Sequence, residues 1–232
     1  MILRRFKTKI LSESLILEND SFRHLSKVLR IKKGHQIEGF NGNGESRLYK
    51  VDNCDRKQMA LIAESSPVIH QRTKDLNIRV FFPLIRKDRL EWAVEKITEL
   101  GAGNISFYKS SRSKDMSFSA LRLKKISDEA ERQSLRNFEI DITEEILNWE
   151  ELILKLKENA FFWFDQSGQY PEKKSQKMES PVLLIGPEGG FDEIEIKQLS
   201  ALKPAIKLNS NVLKVETAAV CALNWLSLSL KE

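Results

Sequence analysis

From about residue 76 onward the chain alternates short apolar runs with amphipathic ones, and this alternation limits the fold more than any other feature. "NIRVFFPLI" reads as a buried strand. "DRLEWAVEKITELG" reads as a helix opened by Asp88-x-x-Glu91 and stopped by Gly101. "NISFYKS" is the next strand, 117–136 a long amphipathic helix, "FEIDI" a short strand and 144–158 a helix. "AFFWFD", "VLLIG" and "AIKLN" read as further strands, with helices expected over 192–202 and 214–229, and the polar stretch 166–180 as a linker. Strands alternating with helices predict a parallel sheet covered by helices on both faces.

Residues 1–70 have a different texture. "QIEGFNGNGESRLYKVDNC" carries Asn41-Gly42-Asn43-Gly44 between two β-compatible segments, a strong hairpin signal. "KQMALIAES" reads as another strand. A short helix is expected at 20–30, with Phe22, Leu25, Val28 and Leu29 on its apolar side and Arg23, Lys27 and Arg30 on the other. This half is expected to be a small β-barrel, and the polar stretch around Pro67 places a boundary that gives domains 1–72 and 73–232.

The 232 residues are 41% hydrophobic, which supports a folded core. No apolar run approaches the ~20 residues that span a bilayer, and the basic N-terminus is not followed by a signal-peptide core. Cys54 and Cys221 show no metal spacing, so no metal site is expected and a reduced, cytoplasmic protein is the simplest reading. The net charge of +5 is concentrated in two places. Residues 21–33 hold five cations and no acid, and Arg112, Lys114, Arg122, Lys124, Lys125, Arg132 and Arg136 form a second basic region. Two basic regions suggest a polyanion touched at two points.

The stretch "LLIGPEGGF" at 183–191 reads as a strand, a tight loop and a helix start. Such junctions often hold ligands through backbone N–H groups, although an ordinary glycine turn has the same spacing. The loop has no lysine and carries Glu188, which would repel a phosphate. A neutral or cationic ligand fits better than a nucleoside triphosphate, and S-adenosylmethionine has that character.

"LLIGPEGGFDEIEI" followed by "LNSNVLKVETAAVCALNWL" resembles the C-terminal signature of the SPOUT-class methyltransferases, and more narrowly the 16S ribosomal RNA (uridine-N3) methyltransferase family. "HLSKVLRIKKG" (24–34), "KDRLEWAVEKITELGAGNISFYKSSRS" (87–113) and "AERQSLRN" (130–137) are similar to further motifs of that family, in the same order. The resemblance implies a PUA-like N-terminal barrel and an α/β SPOUT domain with a deep trefoil knot, whose loops form the cofactor pocket. S-adenosyl-L-methionine would then lie among Phe164, Ile185, Gly186, Glu188, Gly189, Gly190, Leu208, Asn211, Leu213 and Thr217. It also implies a homodimer through the last helix, which carries Val220, Leu223, Trp225, Leu226 and Leu230. The RNA partner, 16S rRNA or the small ribosomal subunit, would meet Arg5, Arg23, His24, Lys27, Arg30, Arg112, Arg132 and Arg136. The chain has Asn211 and Lys214 where the family usually has Arg, and Leu135 where it has Gly.

Transfer to N3 requires loss of a weakly acidic imide proton and an unpaired base, because N3 lies on the Watson–Crick edge. His24, His35 and His70 all lie in the first half, far along the chain from the glycine loop, so no histidine is assigned as base. Arg132, spaced i, i+4 from Arg136, is a candidate to stabilise the uridine anion; Glu188 and Lys214 are the other candidate catalytic residues. Two rival readings are a non-catalytic RNA-binding dimer and a SPOUT enzyme with another RNA target.

Overall fold

The computed structural model describes residues 4–73, 77–113, 116–171 and 178–230. They form two compact units, Met1–Arg72 with Glu131–Glu139, and Thr73–Ala130 with Ile140–Glu232.

The first unit contains β1 (Arg5–Lys7), β2 (Ser14–Leu17), β3 (Gln36–Phe40), β4 (Glu45–Cys54), β5 (Met59–Ala63) and β6 (Val68–Ile69). The sheet runs β1-β3-β4-β5-β2, with β6 on β4; β1 and β3 are parallel and the other pairs antiparallel. Phe6 of β1 and Leu17 of β2 share one core with Tyr49, Met59 and Leu61, so the sheet curls until its far strands meet the same apolar centre. The Asn41–Gly44 turn joins β3 to β4. Gly42 and Gly44 take φ of 78° and 95°, which glycine adopts freely, and Asn41 Oδ1 accepts from the N–H groups of Asn43 and Glu45. The expected helix at 20–30 is α1 (Asn19–Arg23) running into a π-helical turn at His24–Val28, with Phe22 and Leu25 buried.

Residues 131–139 complete this unit. Gly44 N–H donates to the Asn137 carbonyl at 3.0 Å and Glu139 N–H to that of Gly42 at 2.7 Å. Lys7 pairs with Glu131 at 2.8 Å and Glu139 at 3.0 Å.

The second unit is built on β7 (Arg79–Pro83), β8 (Asn104–Tyr108), β9 (Asp141–Leu147), β10 (Phe161–Gln169) and β11 (Val182–Leu184). All five are parallel in the order β10-β11-β7-β8-β9. Val80, Phe82 and Leu183 point to one face, where α2 (Lys87–Glu99), α3 (Ala120–Gln133) and α6 (Val215–Leu230) contribute to the core. Phe81, Val182 and Leu184 point to the other, against α4 (Trp149–Lys157) and α5 (Glu193–Leu202). Both faces are therefore dry, which accounts for the near-continuous apolar strands.

Five sequence expectations are corrected. The strand expected at 138–142 is β9 at Asp141–Leu147, and the helix expected from 144 starts only at Trp149. Asn148 caps it, accepting from Glu151 N–H while the Glu151 carboxylate takes the Asn148 N–H. "AIKLN" forms no strand; Ile206 only bridges Phe164 and Gln169. The linker expected from 166 begins later, because β10 continues to Gln169; residues 172–177 lie outside the described set. The helix expected at 117–136 ends at Gln133, since Leu135 takes a left-handed φ of 58°. Arg132 and Arg136 therefore do not share a helix face.

Candidate functional site

The glycine loop leaves the carboxyl end of β11, where a doubly covered parallel sheet collects ligands. Two hydrogen bonds fix its first residue. Ile185 N–H donates to the Phe81 carbonyl at 3.0 Å, and the Ile185 carbonyl accepts from the Tyr108 hydroxyl at 2.6 Å. Tyr108 is fully buried, and desolvation, with Glu195 nearby, pushes its hydroxyl well above its ordinary pKa, so it stays a donor. The loop then closes as a turn, with Gly190 N–H donating to Pro187 O at 2.9 Å. Gly190 sits at φ 67°, a conformation that disfavours a side chain.

The start of α5 locks the far end of the loop. Asp192 accepts from Glu195 N–H, and the Glu195 carboxylate accepts from the N–H groups of Asp192 and Ser111. Backbone N–H donors, led by that of Glu195, hold the Asp192 carboxyl below its usual range. Buried Glu195 thus ties the 110–113 loop to the helix that follows the glycines.

A cleft of about 380 Å³ opens between the glycine loop, the end of β10 and the 208–214 segment. That volume suits a small-molecule ligand. Of the residues expected to bind cofactor, Phe164, Ile185, Gly186, Glu188, Gly190, Leu208 and Leu213 line it, as does Lys214. Three do not. Gly189 faces away: a Cβ there would meet Arg112 Cδ at 3.3 Å, and its carbonyl accepts from Arg112 Nη1 at 2.6 Å. Asn211 acts through its backbone, its carbonyl accepting from Gln166 Nε2 at 2.9 Å and its N–H donating to Asn209 Oδ1. Thr217 lies on the first turn of α6, off the lining.

Arg89, on the first turn of α2, also lines the cleft. Its Nη1 donates to Glu188 Oε1 at 2.8 Å, and its Nε lies 3.9 Å from Glu216 Oε1. Glu188 is therefore an ion-pair partner of Arg89. Within the "KDRLEW" segment, Arg89 carries no local motif that marks it as a site residue. The signal is an arginine just after a strand's carboxyl end, at the level of the glycine loop.

The basic residues separate by burial. Arg23, Lys27 and Arg30 are exposed along α1 and the turn after it, with His24 half-buried among them. Arg112 is exposed and engaged with the glycine loop; Lys114 lies outside the described residues. Arg132 is half-buried and belongs to the first unit. Arg5 and Arg136 are corrected as RNA contacts, because both are buried inside the first unit. Arg5 pairs with Glu38 at 2.6 Å, donates to the Arg136 carbonyl and to Asn137, and stacks over Phe40. The Arg136 guanidinium donates to the Phe138 carbonyl, and burial lowers its pKa to about 10 against the opposing pull of Glu131.

On α6, Leu223, Leu226 and Leu230 are buried in the chain's own core, and Val220 and Trp225 are half-buried. Among the described residues no helix is long and apolar enough to cross a membrane.

The sequence profile of the RNA methyltransferase domain matches residues 72–227, and that of the RNA methyltransferase PUA domain matches residues 17–63. The chain belongs to the RNA methyltransferase family. It is 26% identical to the ribosomal RNA small subunit methyltransferase E of Bacillus subtilis, over 91% of this chain and 88% of the relative. The Rickettsia conorii protein of the same name is also 26% identical, over 89% and 86%. The crystal structure of ribosomal RNA small subunit methyltransferase E from Neisseria gonorrhoeae, bound to S-adenosyl methionine, superposes with a TM-score of 0.82 at 25% identity over 97% of each chain. A Legionella pneumophila protein with bound SAM shares the fold, with a TM-score of 0.85 at 23% identity over 98% of each chain. The family fold thus combines a PUA-like curled sheet with a parallel-sheet methyltransferase domain, as the sequence resemblance implies.

Proposed function

We propose that this chain uses S-adenosyl-L-methionine to methylate N3 of a uridine in the 16S rRNA of the small ribosomal subunit. The observation that carries the reading is the cleft at the carboxyl ends of β10 and β11, framed by the glycine loop of a family whose Neisseria member is bound to S-adenosyl methionine. The residues fit such a cofactor. The walls offer apolar side chains at Ile185, Leu208 and Leu213, and the left-handed Gly190 lets a ligand approach the backbone closely. Beside the cleft Glu216 Oε2 is buried without a hydrogen-bond partner among the described residues, while its Oε1 faces the Arg89 guanidinium.

Bound there, the cofactor supplies an electrophilic methyl carbon on a sulfonium. Phe164, Ile185, Leu208 and Leu213, with the loop from Gly186 to Gly190, are the residues that would hold it. Lys214, exposed on the rim, is placed to meet RNA phosphate or the flipped base. Exposed Arg23, Lys27 and Arg30 supply sequence-independent affinity for the RNA backbone. The working form is a cytoplasmic homodimer using the side of α6 that faces away from the core, where Leu228 is 58% exposed.

The test is mass spectrometry of 16S rRNA nucleosides from a strain lacking the protein, with purified protein and cofactor added back. N3-methyluridine should vanish in the mutant and return on addition. Persistence of the modified nucleoside, or a different methylated nucleoside on add-back, would overturn the reading.

A further inference from the structure

Two carboxylates grip one guanidinium on the wall of the cleft. Glu188 comes from the glycine loop and Glu216 from the start of α6, and both face Arg89. The Glu216 side chain is only 12% exposed, and its Oε2 has no hydrogen-bond partner among the described residues. A buried carboxylate oxygen left unsatisfied is costly and rare, so its retention calls for a reason. The nearby positive charge is Arg89, which an arginine keeps at any working pH. Glu188 takes Nη1 and Glu216 faces Nε, while Nη2 makes no hydrogen bond among the described residues. The guanidinium is thus held from two sides with one donor edge spare, in a residue that lines the cleft. Lys214, the other cation on the lining, is exposed and has no ion pair among the described residues.

We propose that Arg89 is a catalytic residue of the methyl transfer: its spare guanidinium edge binds the uracil carbonyl oxygen that gains charge when N3 is deprotonated, and Glu188 and Glu216 are its positioning residues. The proposal rests on the uridine-N3 reading. In the step it describes, the N3 proton passes to water or hydroxide, leaving a charge shared by N3 and the two ring oxygens. The N3 electron pair then bonds to the methyl carbon, and the carbon–sulfur bond breaks with its pair retained by sulfur. Anion and sulfonium become two neutral products. A fixed cation beside the oxygen favours the anion and lowers the N3 pKa, by about 1–3 units for a charge within 4–6 Å. Preorganised donors of this kind contribute roughly 10²–10³-fold.

The experiment compares wild type, Arg89→Met and Arg89→Lys. Arg89 is on an exposed first turn with its side chain 35% exposed, and thermal unfolding checks that each variant is folded. Single-turnover methylation of 16S rRNA is followed from pH 6 to pH 10 at saturating cofactor. Wild-type rates should rise tenfold per pH unit and then level off. In Arg89→Met the rate should fall about 10²-fold at neutral pH and the plateau should move upward by about 1–3 units. Arg89→Lys keeps the charge without the planar fork and should fall between the two. A binding measurement without cofactor gives an independent readout. Wild type should prefer a 16S transcript made with 5-fluorouridine, whose N3 is more acidic, and Arg89→Met should lose most of that preference. An unmoved plateau with unchanged fluorouridine preference overturns the role of Arg89, as does a loss confined to cofactor affinity by calorimetry. If wild type itself methylates no uridine N3, the functional reading fails instead, so the two failures are distinguishable.

Discussion

Gly190→Ala isolates the backbone contribution of the glycine loop. At φ 67° an added Cβ would find nothing within 4 Å, so the substitution introduces no clash and the whole cost is conformational. A non-glycine residue in the left-handed region costs roughly 1–2 kcal/mol. Each kcal/mol lowers the melting temperature by about 2–4 °C in a chain of this size. The loop can shed the strain by rotating the Gly190 amide away from the Pro187 carbonyl. If it does so when the cleft is empty, cofactor binding must restore the strained form, and affinity falls by up to about 5–30-fold. Thermal unfolding with and without S-adenosylmethionine, together with titration calorimetry, reads both quantities. Gly34→Ala is the control: φ is 87°, nothing lies within 4 Å, and the residue is in the first unit. It should cost similar stability and leave cofactor affinity unchanged. Gly190→Asn should be milder than Ala, because asparagine tolerates this region. A Gly190→Ala protein as stable as wild type, or an Asn variant worse than Ala, would refute the reasoning.

Tyr108→Phe removes the donor to the Ile185 carbonyl and leaves a buried acceptor unmet, with an expected loss of about 1–3 kcal/mol in denaturant unfolding; an unchanged midpoint would contradict it. Replacing Arg23, Lys27 and Arg30 together with Gln should flatten the log–log salt dependence of RNA binding by about 2, from roughly 0.7 per phosphate contact on single strands, without altering cofactor affinity. An unaltered slope would show that this face is merely solvated.

The second unit's architecture was legible because its strands are buried on both faces. Residues such as Val80-Phe81-Phe82 and Val182-Leu183-Leu184 leave little room for another assignment, and Asp192 with Glu195 forms the cap that the "DEIE" start suggests. The second half of β9 is hidden in the sequence because Thr143, Glu144, Glu145 and Ile146 are exposed or only half-buried, so no apolar run marks it as strand. The stretch around Ile206 reads as a strand for its apolar residues, yet it lies beside β10 with single bridges only. At the site, the glycine loop was readable from composition, but the direction each glycine faces was not: Gly189 turns toward Arg112 and Gly190 toward the cleft. Charge alone also fails to separate a surface arginine from Arg5 or Arg136, because their partners Glu38 and Phe138 are remote or main-chain groups. Arg89 escaped notice for the same reason, since Glu188 and Glu216 lie about a hundred positions or more downstream.

Residues 131–139 bind order of synthesis to order of folding. The β3–β4 turn closes on main-chain partners at Asn137 and Glu139, and Lys7 finds its carboxylates at Glu131 and Glu139. On the ribosome an N-terminal domain ordinarily folds as soon as it emerges. Here the first unit has all its strands by Ile69 but cannot finish until Glu139 has left the exit tunnel. By then the nascent chain has also delivered β7, α2, β8 and α3. A gene cut after residue 72 would accordingly release a fragment with its closing strap, residues 131–139, missing.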